Sequence, residues 1–209
     1  MRLPRHLAVL PLLLTVAAAR PAVAAPDVRI SEFMAGPARD WDGNGTFSSR
    51  DDEWIEIVNG GSAVADLTPY FLTDGDSIPR FGFTGTLAPG AVVLVTGAES
   101  VTWERATTHP VFGLSLGNTG DKVMLWRVSG TDTTLVDSYA YLSHEAASDR
   151  AVGRGADGGG WLLFDSLNPY TGSTPPLGSG CPPSPGSPNQ CGATPTLQAS
   201  WGKIKATYR

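Results

Sequence analysis

The sequence predicts an all-β sandwich or barrel, and three observations carry that prediction. Glycine (25) and proline (17) make up about one-fifth of the 209 residues, against roughly 12% in an average protein. They cost about 1 and 3 kcal/mol in a helix interior. Apolar runs of four to seven residues recur along the chain, each bounded by Gly, Pro, Asp or Asn, as short strands and frequent turns require. No stretch repeats apolar residues at helical spacing for three turns. Coiled coils and helical bundles are thereby excluded. A hydrophobic fraction of 41% also excludes disorder throughout, so one domain of about 150 residues is expected.

Residues 1–24 read as a secretory signal peptide outside the fold. Arg2 and Arg5 give a positive start, residues 7–19 are continuously apolar, and Ala22-Val23-Ala24 offers the small-x-small pattern of signal cleavage. A bilayer core needs about 20 apolar residues, more than this run supplies, and no later segment is apolar enough to span. The expectation is an exported protein that is secreted, periplasmic or held at the cell surface, with no transmembrane segment after cleavage.

Within the exported part, residues 28–34 read as a first strand and residues 36–52 as a polar insertion. A second strand, residues 54–58, places Trp54, Glu56 and Val58 on one face and Ile55 and Ile57 on the other, because strand side chains alternate. Asn59-Gly60-Gly61-Ser62 is a turn cluster. Further strands are expected over residues 69–73, 80–83, 91–96, 111–116, 122–128, 135–141 and 160–164. Residues 102–107 and 144–149 are expected to make single helical turns at most. Aromatics such as Trp54, Tyr70, Phe83, Trp126 and Trp161 fall in or beside the strands and read as core, not as a sugar-binding platform. From residue 168 to 192 the composition shifts to Pro, Gly and Ser, an extended loop-like segment.

The leader holds three arginines and no acid, so the rest keeps 12 basic and 20 acidic residues. The last 18 residues carry Lys203, Lys205 and Arg209 with no acid, which leaves residues 25–191 at a formal charge of −11. Nucleic-acid affinity rests on clustered Lys and Arg, so nucleic acid is not an expected partner. Hard cations are. Cys181 and Cys191 are expected to pair in an oxidising compartment, constraining the unfolded chain by about 3 kcal/mol. Metal binding by this pair is the weaker reading, since no histidine is near and the spacing is not that of a zinc site.

Six stretches follow one another in a telling order: Ile30-Ser31-Glu32-Phe33, Asp52-Glu53-Trp54-Ile55-Glu56-Ile57-Val58-Asn59, Asp66-Leu67-Thr68-Pro69-Tyr70-Phe71-Leu72-Thr73-Asp74, Gly85-Thr86-Leu87-Ala88-Pro89-Gly90, Leu116-Gly117-Asn118-Thr119-Gly120-Asp121-Lys122-Val123-Met124-Leu125 and Ser184-Pro185-Gly186-Ser187-Pro188-Asn189. Over residues 27–190 this order resembles the lamin-tail domain family as found in secreted bacterial proteins. The resemblance implies an immunoglobulin-like β-sandwich and no catalysis. Pro89-Gly90 and the segment from Asn118 to Gly120 suit turns.

One constellation carries chemistry. Residues 40–51, Asp-Trp-Asp-Gly-Asn-Gly-Thr-Phe-Ser-Ser-Arg-Asp, follow a calcium-loop pattern, with side-chain oxygens at positions 1, 3 and 5, Gly at 6 and a carboxylate at 12. Asp40, Asp42 and Asn44 would face one ion, Gly45 would free the Thr46 carbonyl, Ser48 would act through water and Asp51 would close the shell. Asp51 reaches less far than the usual Glu; Asp52 and Glu53 are its substitutes. The flanks are strand-like, so this is no helix–loop–helix hand, and the resembling domains often carry such an insertion between their first two strands. The competing reading is a solvated Asp-Gly turn. Extracellular modules bind calcium at roughly 0.1–1 mM, so the expected site is structural and clamps the first two strands.

Catalytic readings find less support. His109 precedes a proline, and Ser143-His144-Glu145 are adjacent in sequence, whereas a triad converges from separated segments. No nucleophile elbow, phosphate loop or zinc helix motif occurs. Glu32 and Glu56 would serve a glycosidase only at the right separation. At the C-terminus, Trp201, Gly202, Ile204, Lys205, Tyr208 and Arg209 belong to an ending similar to those of some exported bacterial proteins, with a sorting or attachment role expected. It is too short to be helical alone, and a frayed terminus is the alternative. The expected function is a calcium-stabilised, non-catalytic adhesion or interaction module for an unknown protein or envelope polymer. The alternatives are an exported hydrolase or carbohydrate-binding module, marked by exposed aromatics beside a cleft, and an envelope part that self-associates through a free edge strand.

Overall fold

The computed structural model describes residues 24–156 and 158–192. The expected leader up to residue 23 and the tail with Trp201, Gly202, Ile204, Lys205, Tyr208 and Arg209 lie outside the described residues. The chain runs β1 (Val28–Met34), β2 (Trp54–Asn59), β3 (Ala65–Asp66), β4 (Tyr70–Thr73), β5 (Pro79–Gly82), β6 (Thr86–Leu87), β7 (Val92–Thr96), α1 (Gly97–Ala106), β8 (Gly120–Ser129), β9 (Asp132–Leu142), β10 (Ala151–Arg154) and β11 (Trp161–Phe164).

Two antiparallel sheets, β11-β10-β1-β2-β7 and β5-β4-β8-β9, build the sandwich, and β3 pairs with β6. Between the sheets lies one buried cluster. Ile30, Phe33, Ile55, Ile57 and Val152 come from the first sheet, and Leu72, Val123, Leu125 and Tyr141 from the second. The Phe33 ring lies 5.1 Å from that of Tyr141 across the interface. This is the immunoglobulin-like β-sandwich that the strand spacing and the resemblance led to.

β2 is buried on both faces, although the alternation of its residues suggests one wet side. Ile55 and Ile57 face the other sheet, while Trp54 joins Met34, Ala151, Phe164 and Cys191 in a second cluster. The Pro/Gly/Ser-rich segment covers that outer face. The Cys181–Cys191 disulfide is formed, with Cα atoms 5.8 Å apart.

Two sequence expectations are corrected. Residues 111–116 do not form a strand: Gly113 and Ser115 have φ of 76° and 59°, outside strand geometry. Leu114 and Leu116 nonetheless enter the core from this loop, which explains the strand-like pattern. Residues 97–106 form a ten-residue helix where a single turn over 102–107 was expected. Its signal is a capping box, in which the Thr96 hydroxyl accepts from Glu99 N–H and the Glu99 carboxylate accepts from Thr96 N–H. α1 buries only Gly97, Ser100, Val101 and Glu104, too few apolar residues to give a helical period.

Candidate metal centre

The acidic insertion joins β1 to β2, and three of its carboxylates converge. Asp40, Asp42 and Asp52 each place an oxygen within 4.8 Å of the other two. This group can hold a metal ion. Asp52 is fully buried and organises the loop: one of its oxygens accepts from Trp41 N–H (2.6 Å) and Asp42 N–H (2.9 Å), the other from Ser48 N–H (2.7 Å). Asp40 accepts from Gly43 N–H and Gly45 N–H, both at 2.7 Å. Gly43 and Gly45 have φ of 74° and 89°, a conformation that glycine adopts without steric cost. Partial burial pushes the Asp40 carboxyl up, but the Gly45 and Gly43 amides and Asp42 outweigh it, so the group lies below the usual carboxylate range. It therefore offers charged oxygens at neutral pH.

The other expected ligands make contacts of their own within the loop. The Asn44 side chain bridges Asp42 and Thr46, donating to Asp42 Oδ2 (2.7 Å) and accepting from Thr46 N–H (2.8 Å). Asp51 pairs with Arg50 at 2.8 Å, and that guanidinium holds its carboxyl low. The structure thus brings Asp52, and not Asp51, together with Asp40 and Asp42. A one-residue offset is a matter of local chain direction: Ala98 N–H bonds to the Asp51 carbonyl and Gly97 N–H to that of Glu53. A Cβ at Gly97 would overlap the Arg50 carbonyl.

Sequence reasoning missed Asp149, which braces the loop from outside. Its carboxylate accepts from Ala38 N–H (2.9 Å), Arg39 Nε (3.0 Å) and Trp41 Nε1 (2.9 Å). No local motif announces such a contact, because it spans more than a hundred residues of sequence.

The other candidates are engaged elsewhere. Glu145 accepts from the Tyr139 hydroxyl and Leu142 N–H, and His144 lies against Tyr170; the three residues 143–145 do not form a relay. His109 stacks on Trp103 and meets the Thr107 hydroxyl. Glu32 and Glu56 are cross-strand partners, both fully buried. Burial raises Glu32 to about 8 and Glu56 to about 7, against hydrogen bonds from Ser184 in the first case and from Ser31 and Gly186 in the second. A groove of about 270 Å³ runs over Tyr70, Phe71, Pro79, Gly82, Trp103 and His109.

Among the described residues no helix is long and apolar enough to cross a membrane. Neither a curated protein nor a solved structure matches the chain. The Lamin Tail Domain family matches residues 21–143, a span that includes β1 through β9 and the acidic loop. That family is generally non-catalytic. With the sandwich and the match over more than half its length, this chain belongs to the lamin tail domain family.

Proposed function

We propose that this protein is an exported, non-catalytic adhesion or interaction module whose sandwich is braced by calcium at Asp40, Asp42 and Asp52. One observation carries the reading: three carboxylates converge on the β1–β2 connection while the arginines beside them are already taken, Arg39 by Asp149 and Arg50 by Asp51. Charge gathered in this way calls for a hard cation with oxygen ligands. The ion ties two neighbouring strands of the five-stranded sheet and leaves the rest of the surface for a partner. Thermal melting in millimolar calcium and in chelator tests it. A higher midpoint with calcium is expected; superimposable curves would refute the brace.

The same reading has residues 1–24 cleaved as a bacterial signal peptide, residues 27–190 as the module, and residues 193–209 as a sorting or attachment tail. The product then sits outside the cytoplasm, bound to a protein or an envelope polymer. The basic tail on an acidic body supports a separate role for the tail. Pull-down from envelope extracts with and without residues 192–209 separates a tail that binds from a sandwich that binds. A carbohydrate-binding role draws on the aromatic groove, beside which the Phe71 and Trp126 rings lie 6.4 Å apart and within 12° of parallel. Loss of glycan binding in Trp103→Ala would favour it.

A further inference from the structure

The segment 184–189 closes over the outer face of β1 and β2 and is held almost entirely by polar contacts. Ser184 donates twice to Glu32, from its amide (3.1 Å) and its hydroxyl (2.6 Å), and Gly186 N–H donates to Glu56 (2.8 Å). Ser187 N–H closes a turn onto the Ser184 carbonyl. Asn189 donates to the Ser31 and Arg154 carbonyls. Its amide, the Glu32 side chain and Phe164 crowd Gly153 so closely that a Cβ there would lie within 3.0 Å of all three. Both ends of the segment are clasped by the Cys181–Cys191 disulfide.

No large apolar side chain anchors this strap. Its sequence is Ser-Pro-Gly-Ser-Pro-Asn, with Gly186, Ser187 and Pro188 exposed, and Pro188 and Asn189 border a cavity of about 340 Å³. Segments with few apolar contacts open locally at low free energy. Its seat is two adjoining carboxyl groups. Three of their four oxygens receive a donor from the strap, and the fourth, Glu56 Oε1, is buried without a hydrogen-bond partner.

We propose that residues 184–189 form a pH-gated strap, closed while the Glu32–Glu56 pair holds a proton and opened when both carboxyls are ionised. Two buried negative charges on neighbouring strands repel and lack solvation. The groups that face them are hydrogen-bond donors that offset the burial only in part, and none carries a positive charge. From the strap come Ser184, Gly186, Ser187 and Asn189; from β1, Ser31; from β10, Gly153; from β7, Leu94 opposite Glu56. The guanidinium of Arg154, on the neighbouring strand β10, is turned to Asp137 and the Ile30 carbonyl. Among the described residues no basic side chain reaches either carboxyl.

The direction follows from which form each state prefers. The closed strap excludes water and favours the neutral pair; the open strap hydrates the pair and favours the charges. Burial places the Glu32 transition near 8 and that of Glu56 near 7, so opening belongs to mildly alkaline conditions. The disulfide keeps the strap tethered, so that opening is local and reversible.

Amide exchange of the full chain, corrected for the intrinsic pH dependence, reads this directly. Between pH 6.5 and 9.5, protection of the Ser184 and Gly186 amides is expected to fall at least tenfold further than that of Ile55 and Ile57, whose exchange follows global stability. In Glu32→Gln/Glu56→Gln the strap protection should stay level. A level wild-type profile, a parallel fall in the variant, or an equal fall at Ile55 and the strap would each overturn the proposal. Should the double variant not fold, the wild-type rate of disulfide reduction by a phosphine, divided by that of a short peptide with the same ring, serves instead. It should rise at least fivefold over the same range, and a constant ratio would overturn the gate.

Discussion

The Trp41 indole donates to Asp149 Oδ1 at 2.9 Å, joining the acidic loop to a segment 108 residues downstream. Asp149 also holds Ala38 and Arg39, so the entrance to the loop is fixed before any ion arrives. It sits at φ 53°, a conformation that Asn also tolerates. Asp149→Asn therefore leaves the backbone at ease while removing one of the two acceptor oxygens. It is expected to destabilise the fold by about 1–3 kcal/mol in urea denaturation and to weaken the response to calcium.

Asp51 and Asp52 separate two versions of the ligand set. In Asp51→Asn the calcium-induced rise in melting midpoint should persist, because that side chain faces Arg50. In Asp52→Asn the rise should vanish, and stability should drop even in chelator, since three loop amides depend on that carboxylate. Asp40→Asn/Asp42→Asn should abolish the rise with little effect in chelator. Paired melts of all three variants check the pattern.

Arg80 is buried between Asp74 at 2.8 Å and Glu104 at 3.7 Å. Replacing it with Met leaves two carboxylates in the interior without their cation. Removing one partner of a buried pair costs about 3–5 kcal/mol, and a loss of that order is expected for Arg80→Met in chemical denaturation. Arg80→Met/Glu104→Gln should recover part of it.

Global stability should decline from pH 5 to 9. Glu32 and Glu56 bind protons more tightly folded than unfolded, with folded values of about 8 and 7 against 4.5. Their contribution is therefore complete below about pH 4.5 and gone once the pH has passed 8. Denaturation curves of Glu32→Gln should show a shallower decline than wild type over this window.

The sandwich was legible because its strands are short, apolar and separated by turn formers, a pattern that local sequence carries. Residues 111–116 misled for a physical reason: Leu114 and Leu116 are buried like strand residues, yet Glu104 and Glu53 supply the acceptors for this loop's amides. The helix after β7 was hidden because its inward face is Ser100 and Glu104 as much as Val101. In the acidic loop the types and spacing of Asp40 and Asp42 were legible. The choice of Asp52 over Asp51 depends on α1, Arg50 and the loop amides, and Asp149 depends on chain that arrives much later. The burial of Glu56 is equally non-local, since the alternation in β2 says nothing of a distant segment that covers it.

One pairing bears on how the chain is made. β1 lies between β2 and β10, so β1 is made well over a hundred residues before the strand that becomes its second neighbour. Throughout that interval an apolar ribbon with one bare flank is open to stray pairing, and a chaperone that shields it would matter more here than in a sandwich assembled from successive hairpins. A fragment cut at residue 143 would never end that wait, and should collect in inclusion bodies.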